Sequence, residues 1–580
     1  MLDISQRVPP ILQELIQDGC LQKARILSDD ELKTIAKRGV VAGVEGIIQI
    51  DNRKIAVWVG IRENFPLSLP KIFLRPADVL GMIPHLEEDG CLCYLDEEGL
   101  LLDSDHPVGI LLEAVERTIE LLEKSVSGEN KWDFMDEFYA YWLQLCSETT
   151  SLAAFLPVDN TLRKICAYKN GDRYILVADR IDRACAYFNH PNKQLDSSTR
   201  HTALYIPLEV GTFLTPPTPK QPWSVGDLQE IIRKNVSAEN QRKLRQYRVR
   251  KNRASELVIL GIPRPQGGIT LIGLIFSNIG DEHPLIASNS TIVPIPINVQ
   301  RYDLNYLMPR GGANVNLDRI KALVVGCGAV GGYIPAFLAQ AGIKNLTLVD
   351  SDILKPENIY RHAMGKSSEK QYKTIAIKEE IKSKYPYLTI TTHQAYIEKA
   401  IAQGDINFSD FNLVIFATGN QTMELYLNRL IYQHNLLAVF TWLEPYGIGG
   451  HSLLTRSGKP GCFQCLFDSN SESDSYNHNR ASFAAPNQSF AKNDLGCGSS
   501  YTEYGALDAR KTAMQAVELA IDGLREVEPK NALISWKGKD NRFTAAGFTT
   551  SPRYELSGDR LGESRYNYVN PQCPICGGEQ

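Results

Sequence analysis

The rhythm of hydrophobic and polar positions changes twice along this 580-residue chain. Within residues 1–150, two apolar runs of strand character, 40–50 and 54–61, meet at the turn signal Asp51-Asn52 and predict a β-meander. A helix is expected to begin after Pro9-Pro10, because proline is accommodated at a helix start. Beyond a loop at 103–107, Ile110, Leu111, Val115, Ile119 and Leu122 fall at helical spacing in 108–124, and a second helical stretch comes next, over 132–146. These elements predict a small α+β domain.

From 151 to 305, short β-rich runs (174–177, 257–262, 269–276) alternate with proline-rich joints such as 214–222 and one charged helix near 225–250. This predicts a β-rich linker domain, and no catalytic motif stands out in it. From 306 to 580 the pattern turns to βαβ: an apolar strand at 320–325, a glycine-rich turn at 326–332, a helix at 333–341, and strands at 346–349 and 413–417. A doubly wound, Rossmann-like parallel sheet is expected there, so the fold class is multidomain α/β and α+β. The uncharged stretch 322–339 contains five Gly or Pro residues and starts as a strand, so no membrane span is expected.

Charge removes several partners. Sixty-two basic against 67 acidic side chains leave a net charge of −5, which offers no overall field for nucleic acid or an anionic membrane. The seven Lys or Arg within 242–253 read as a solvated helix face. Twelve cysteines are too sparse for a disulfide scaffold, and the first residues lack a basic stretch followed by an apolar core. A reducing, cytoplasmic setting is expected.

Gly326-Cys327-Gly328-Ala329-Val330-Gly331, between a strand and a helix, fits G-x-G-x-x-G. Gly326, Gly328 and Gly331 let backbone approach phosphates, the helix start adds partial positive charge, and Asp350 can accept from ribose hydroxyls. Any nucleotide satisfies this, the NAD of a dehydrogenase included. Four residues that come in order after Asp350 narrow the choice: Asp352, Asn358, Arg361 and Lys373. Hydride transfer has no use for them. Adenylation does, because a carboxylate attacking an α-phosphate needs cations to screen the triphosphate. Arg361 and Lys373 are candidate cations and Asp352 a candidate magnesium ligand, so ATP and Mg2+ are the expected cofactors.

In this order, over roughly 320–578, the residues resemble the adenylating family of ubiquitin-activating enzymes and its sulfur-carrier relatives of the ThiF and MoeB type. One departure concerns the metal. The family often carries T-D-N after a later strand, whereas this chain has Thr418-Gly419-Asn420, so Asn420 or Asp352 would have to replace the missing carboxylate.

Cys462-Phe463-Gln464-Cys465 and Cys573-Pro574-Ile575-Cys576 are C-x-x-C knuckles, and two such pairs favour a closed, structural Zn2+ over a redox dithiol. The family resemblance implies the same zinc, although residues 466–572 make an unusually long spacer. Cys497, in Leu495-Gly496-Cys497-Gly498-Ser499, lies after the Ser- and Asn-rich stretch 469–493 and precedes a helix expected at 506–524. A thiolate near a helix start is stabilised, and by resemblance this position corresponds to the cysteine that captures a modifier from its adenylate.

At the other end, Phe65-Pro66-Leu67-Ser68-Leu69-Pro70-Lys71-Ile72-Phe73 and later Ile83-Pro84-His85-Leu86-Glu87-Glu88-Asp89-Gly90-Cys91-Leu92-Cys93 resemble a ubiquitin-conjugating domain. The resemblance puts the thioester nucleophile on Cys93, with Cys91 as the spare. It puts His85 where the family has Asn, as a candidate oxyanion donor or a loop-satisfying residue.

Both domains in one chain resemble the fusion enzymes found beside cGAS-like nucleotidyltransferases in bacterial CBASS anti-phage operons. The resemblance implies that ATP adenylates a protein C-terminus, that of the cGAS-like nucleotidyltransferase. Cys497 captures it, Cys93 receives it, and an amine of an unknown target protein takes it. It further implies a homodimer through the adenylation domain. The rivals are a sulfur-carrier adenylating enzyme, which has no use for Cys93, a dehydrogenase, and a non-catalytic scaffold.

Overall fold

A computed structural model describes residues 4–147, 151–180, 200–247, 255–277, 279, 282–287, 291–385, 387–434, 436–469, 476–493 and 500–577. The described residues divide into two compact units, one built from the chain through Asp179 and from 200 to 301, the other from Tyr302 onward.

The first unit begins with helix Ile4–Asp18. Pro9 and Pro10 lie inside it rather than ahead of it, which corrects the expected start. Both prolines face water, where the carbonyls they leave unpaired can be hydrated, while Val8, Leu12 and Leu15 are buried against the sheet. That sheet runs in the order β1 (Gln22–Ile26), β2 (Val40–Ile50), β3 (Arg53–Arg62), β4 (Lys71–Arg75) and β5 (Cys91–Leu92), all antiparallel. The predicted meander is β2–β3, turning at Asp51 with φ 48°. Helix Pro107–Ser127 lays Ile110, Leu111, Val115 and Leu122 on the sheet, as its spacing predicted.

The second predicted helix of this region is broken into Asp133–Asp136 and Phe138–Leu143. Its apolar side chains belong to the core of the next element: Met135, Phe138 and Trp142 pack with Leu204, Val258 and Leu274, and Trp142 Nε1 donates to the Ile297 carbonyl (3.2 Å). Seven strands close that element into a barrel: β6 (Ser151–Phe155), β7 (Arg163–Asn170), β8 (Arg173–Ala178), β9 (Arg200–Pro207), β10 (Ser255–Pro263), β11 (Ile269–Ser277) and β12 (Ile295–Arg301). Helices Val225–Asn235 and Ala238–Arg245 account for part of the expected charged helix. The rest of the basic run, 248–253, lies outside the described residues.

In the second unit the expected βαβ pattern holds. A seven-stranded sheet orders β15 (Thr389–His393), β14 (Asn345–Val349), β13 (Lys321–Val325), β16 (Leu413–Phe416), β17 (Leu437–Leu443), β18 (Gly449–Arg456) and β23 (Ala532–Lys537). The first five run parallel, β18 runs against them, and β23, antiparallel to β18, runs with them again. Alternate residues of β13 enter different cores: Ala322 and Val324 pack with helices Ile334–Ala341, Lys373–Lys384 and Ala506–Leu524, while Leu323 and Val325 pack with Gln421–Ile431. Two short antiparallel pairs complete it: β19 (Phe467–Ser469) with β20 (Tyr476–Asn479), and β21 (Lys492–Asn493) with β22 (Ser500–Tyr501). Among the described residues no helix is long and apolar enough to cross a membrane.

Candidate active sites

Cys93 lies just past β5 and is exposed, whereas Cys91 is buried within Trp58 and Phe73. Desolvation pushes the Cys91 thiol up to about 11. The loop before them is fixed by Arg38, which grips Glu87 (Nη2–Oε2, 2.5 Å) and Asp89 (Nε–Oδ2, 2.9 Å). It is also fixed by Gly90, whose φ of +84° and 2.7 Å clearance to the Leu74 carbonyl exclude a side chain.

His85 does not face Cys93 with a spare N–H. Its φ is +64°, its carbonyl accepts the Cys93 N–H (2.9 Å), and its ring bridges two carboxylates, Nδ1 to Glu137 Oε1 (2.7 Å) and Nε2 to Asp133 Oδ2 (2.9 Å). Burial alone would lower its pKa, but the two carboxylates overcome this and raise it to about 9. With both ring nitrogens engaged by carboxylates and its carbonyl holding the Cys93 N–H, His85 has no spare ring N–H for an oxyanion in this arrangement, and of the two roles expected for it the geometry fits the loop-holding one. Tyr141 completes the group: its hydroxyl accepts the His85 N–H (3.0 Å) and donates to Glu137 Oε2 (3.3 Å). Desolvation, and next the Glu137 charge, raise the Cys93 thiol. Sequence reasoning missed Asp133, Glu137 and Tyr141. They lie some forty or more residues beyond Cys93, and only the broken helix turns them back.

In the second unit, the glycine loop extends from the end of β13. Gly326 has φ +88°, and a Cβ there would lie 2.7 Å from the Ala417 carbonyl; a Cβ on Gly331 would lie 1.9 Å from the Gly326 carbonyl. Gly328 has open space around it. Asp350 follows directly on β14, with Oδ2 accepting from the Cys327 N–H (2.6 Å) and Oδ1 from the Asp352 N–H (2.7 Å), so the expected ribose acid ties the glycine loop to the end of this strand. Lys373, buried at the start of its helix, pairs with Asp352 (2.7 Å). Asn358 Oδ1 accepts the Lys355 N–H (3.2 Å), and Arg361 donates to the Thr502 carbonyl (3.2 Å) and lies over Tyr504.

His362 was not singled out by sequence. It is buried, its Nε2 donates to the Cys327 carbonyl (2.7 Å), and its Nδ1 accepts the Met364 N–H (3.0 Å). Burial keeps it neutral, which this pairing requires. Asn420 caps its own helix, its side-chain oxygen accepting the Met423 N–H (3.1 Å). Cys497 lies outside the described residues; the flanking strands pair Lys492 with Tyr501 and Asn493 with Ser500.

The two knuckles, distant in sequence, meet. The Sγ atoms of Cys462, Cys465, Cys573 and Cys576 lie within 4.8 Å of one another, with Cys462–Cys573 at 3.6 Å and Cys465–Cys576 at 3.3 Å. A tetrahedral zinc with Zn–S of about 2.3 Å requires sulfurs about 3.8 Å apart, so the set is compatible with that ion. Donors suited to thiolates surround it: Asn428 Nδ2 to Cys462 (3.5 Å) and the Gly461 N–H to Cys576 (3.3 Å). Gly577 flanks the knuckle closely, a Cβ there lying 2.4 Å from the Pro571 carbonyl.

Comparison with known proteins agrees with both regions. Residues 303–550 match the ThiF family, and residues 21–150 match prokaryotic E2 family B. The chain is 28% identical over 423 residues to an ATP-dependent ubiquitin transferase-like protein Cap2 of Pseudomonas aeruginosa, covering 70% of this chain and 74% of that one. A protein of the same name from Escherichia coli is 25% identical, covering 48% of this chain and 45% of that one. The structure of E. coli MccB aligns at 14% identity with a TM-score of 0.33, over 46% of this chain and 67% of the other. The chain thus carries a segment that matches prokaryotic E2 family B and, after it, one that matches the ThiF family, and over 70% of its length it is similar to an enzyme of the ubiquitin transferase-like kind.

Proposed function

We propose that this protein activates the C-terminal carboxylate of another protein with ATP and passes it through two cysteines to an amine. The observation that carries the reading is the pairing, in one chain, of an exposed Cys93 beside a carboxylate cluster with a glycine-loop crevice furnished with Asp350, Lys373 and Arg361. The carboxylate attacks the α-phosphate, forming an acyl adenylate and releasing pyrophosphate. Arg361 and Lys373 screen the triphosphate, and Asp352 is the candidate ligand for Mg2+. The Cys497 sulfur then displaces AMP, and Cys93 takes the acyl group by thioester exchange.

At Cys93 a neutral amine nitrogen attacks the carbonyl, the C–N bond forms and the C–S bond breaks. Glu137 is the group that accepts the amine proton, held in place by His85 and Tyr141. The four knuckle cysteines, as thiolates, would hold a structural zinc, and four sulfur ligands would leave it no open position. The modifier is a cGAS-like nucleotidyltransferase C-terminus, the setting is cytoplasmic anti-phage defence, and the ThiF-type unit pairs with a second copy; these three points rest on the resemblance to the fusion enzymes.

The test is a nonreducing gel of the protein with ATP, magnesium and a cGAS-like nucleotidyltransferase. Thiol-sensitive adducts are expected on wild type, stopping at Cys497 in Cys93→Ala and vanishing in Cys497→Ala. Absence of both adducts and pyrophosphate exchange overturns the reading.

A further inference from the structure

Strand order in the large sheet reverses between β13 and β16, the position where open α/β sheets form their ligand crevice. The glycine loop makes one wall of it and Thr418-Gly419-Asn420 the other. The second wall leans directly on the first: a Cβ on Gly326 would lie 2.9 Å from Thr418 Cα, and one on Gly331 would lie 3.2 Å from Ala417 Cβ.

Behind that wall stands Glu424, on the first turn of helix Gln421–Ile431 and fully buried. Its Oε1 accepts both donors of Thr418, the N–H (3.2 Å) and the hydroxyl (2.8 Å). Thr418 Oγ1 in turn accepts the Asn420 N–H (3.1 Å), and the Asn420 carbonyl accepts the Glu424 N–H (2.9 Å), closing a ring of bonds. Glu424 Oε2 is buried and has no hydrogen-bond partner among the described residues. Such an atom is costly to bury, and an apolar side chain would avoid that cost but would leave both Thr418 donors without an acceptor.

We propose that Glu424 is a positioning residue for the nucleotide: by fixing Thr418 it sets the wall against which Gly326 and the phosphate-binding turn are packed. The inference rests on the ATP reading above and adds a residue to it. Glu424 touches no reacting atom; it acts through Thr418 on the loop that does. Glutamine presents the same acceptor and should serve, whereas alanine should not.

The experiment is calorimetric titration of Mg2+-ATP into the full chain and its Glu424→Gln, Glu424→Ala and Thr418→Val variants, with thermal unfolding of each recorded without nucleotide. Glu424→Ala and Thr418→Val should each weaken ATP binding on the order of tenfold or more, and Glu424→Gln should stay within about twofold of wild type. Should Glu424→Ala fail to fold, Thr418→Val and Glu424→Gln decide the matter. ATP affinity unchanged in Thr418→Val, or lost in Glu424→Gln, overturns the inference while leaving the ATP reading intact. A wild type that binds no ATP overturns both.

Discussion

Cys93 and the four knuckle cysteines carry the same side chain in opposite settings. Cys93 is exposed, and partial desolvation and the nearby Glu137 charge raise its thiol. The knuckle sulfurs are largely buried and lie against one another, and the hydrogen bonds among them pull Cys465 and Cys573 down while Cys462 and Cys576 are pushed up, so protons are shared within the cluster. One arrangement suits a sulfur that forms and breaks an acyl bond while staying reachable; the other suits sulfurs that hold a cation and never leave it. Burial and the company of other sulfurs separate the two roles where residue type does not.

The sharpest way to break this contrast is to exchange the losses. Cys573→Ser should cost the second unit about 4 kcal/mol or more of unfolding free energy and release zinc, read by denaturant titration and a colorimetric metal assay. Cys93→Ser should leave unfolding within about 0.5 kcal/mol of wild type while abolishing amide conjugation. Next in size, Glu137→Gln should load Cys93 normally but discharge it to free lysine on the order of 100-fold more slowly, monitored by single-turnover gel assay.

A smaller effect concerns His85. Its pKa in the folded protein is about 9, above the ordinary 6.5, so its stabilising ion pairs are fully present below pH 6.5 and lost as pH rises through 9. His85→Asn should therefore be less stable than wild type by about 2 kcal/mol at pH 6, with the difference fading towards pH 9.5, measured by urea unfolding at each pH. Smallest in scale, iodoacetamide on native protein should label Cys93 and spare Cys91, as mapped by peptide mass; labelling of Cys91 before unfolding would contradict its burial.

Legibility in the sequence tracks how local a feature is. The G-x-G-x-x-G turn, the helix at 108–124 and the two knuckles announce themselves by spacing within a few residues, and the structure forms each of those elements. The missed features are long-range. Glu137 reaches His85 across 52 positions only because Phe138 and Trp142 are drawn into the barrel core, which breaks the helix expected over 132–146. His362 looks like an ordinary neighbour of Arg361 until its ring is found against the Cys327 carbonyl. Barrel closure, likewise, depends on pairings such as β10 with β9 that no window of sequence contains.

That barrel also has a seam. Its first and last strands, β6 and β12, are hydrogen-bonded neighbours running in parallel, with Ser151 opposite Asn298 and Ala154 opposite Arg301. Because the two strands run the same way, the chain enters at one end of this seam and leaves towards the other, Arg301 lying level with Ala154 and not with Ser151. The barrel is also no detachable cassette: Met135, Phe138 and Trp142, from the segment that matches the E2 family, fill its core, so a change in the barrel reaches the side chains that bring Glu137 to His85.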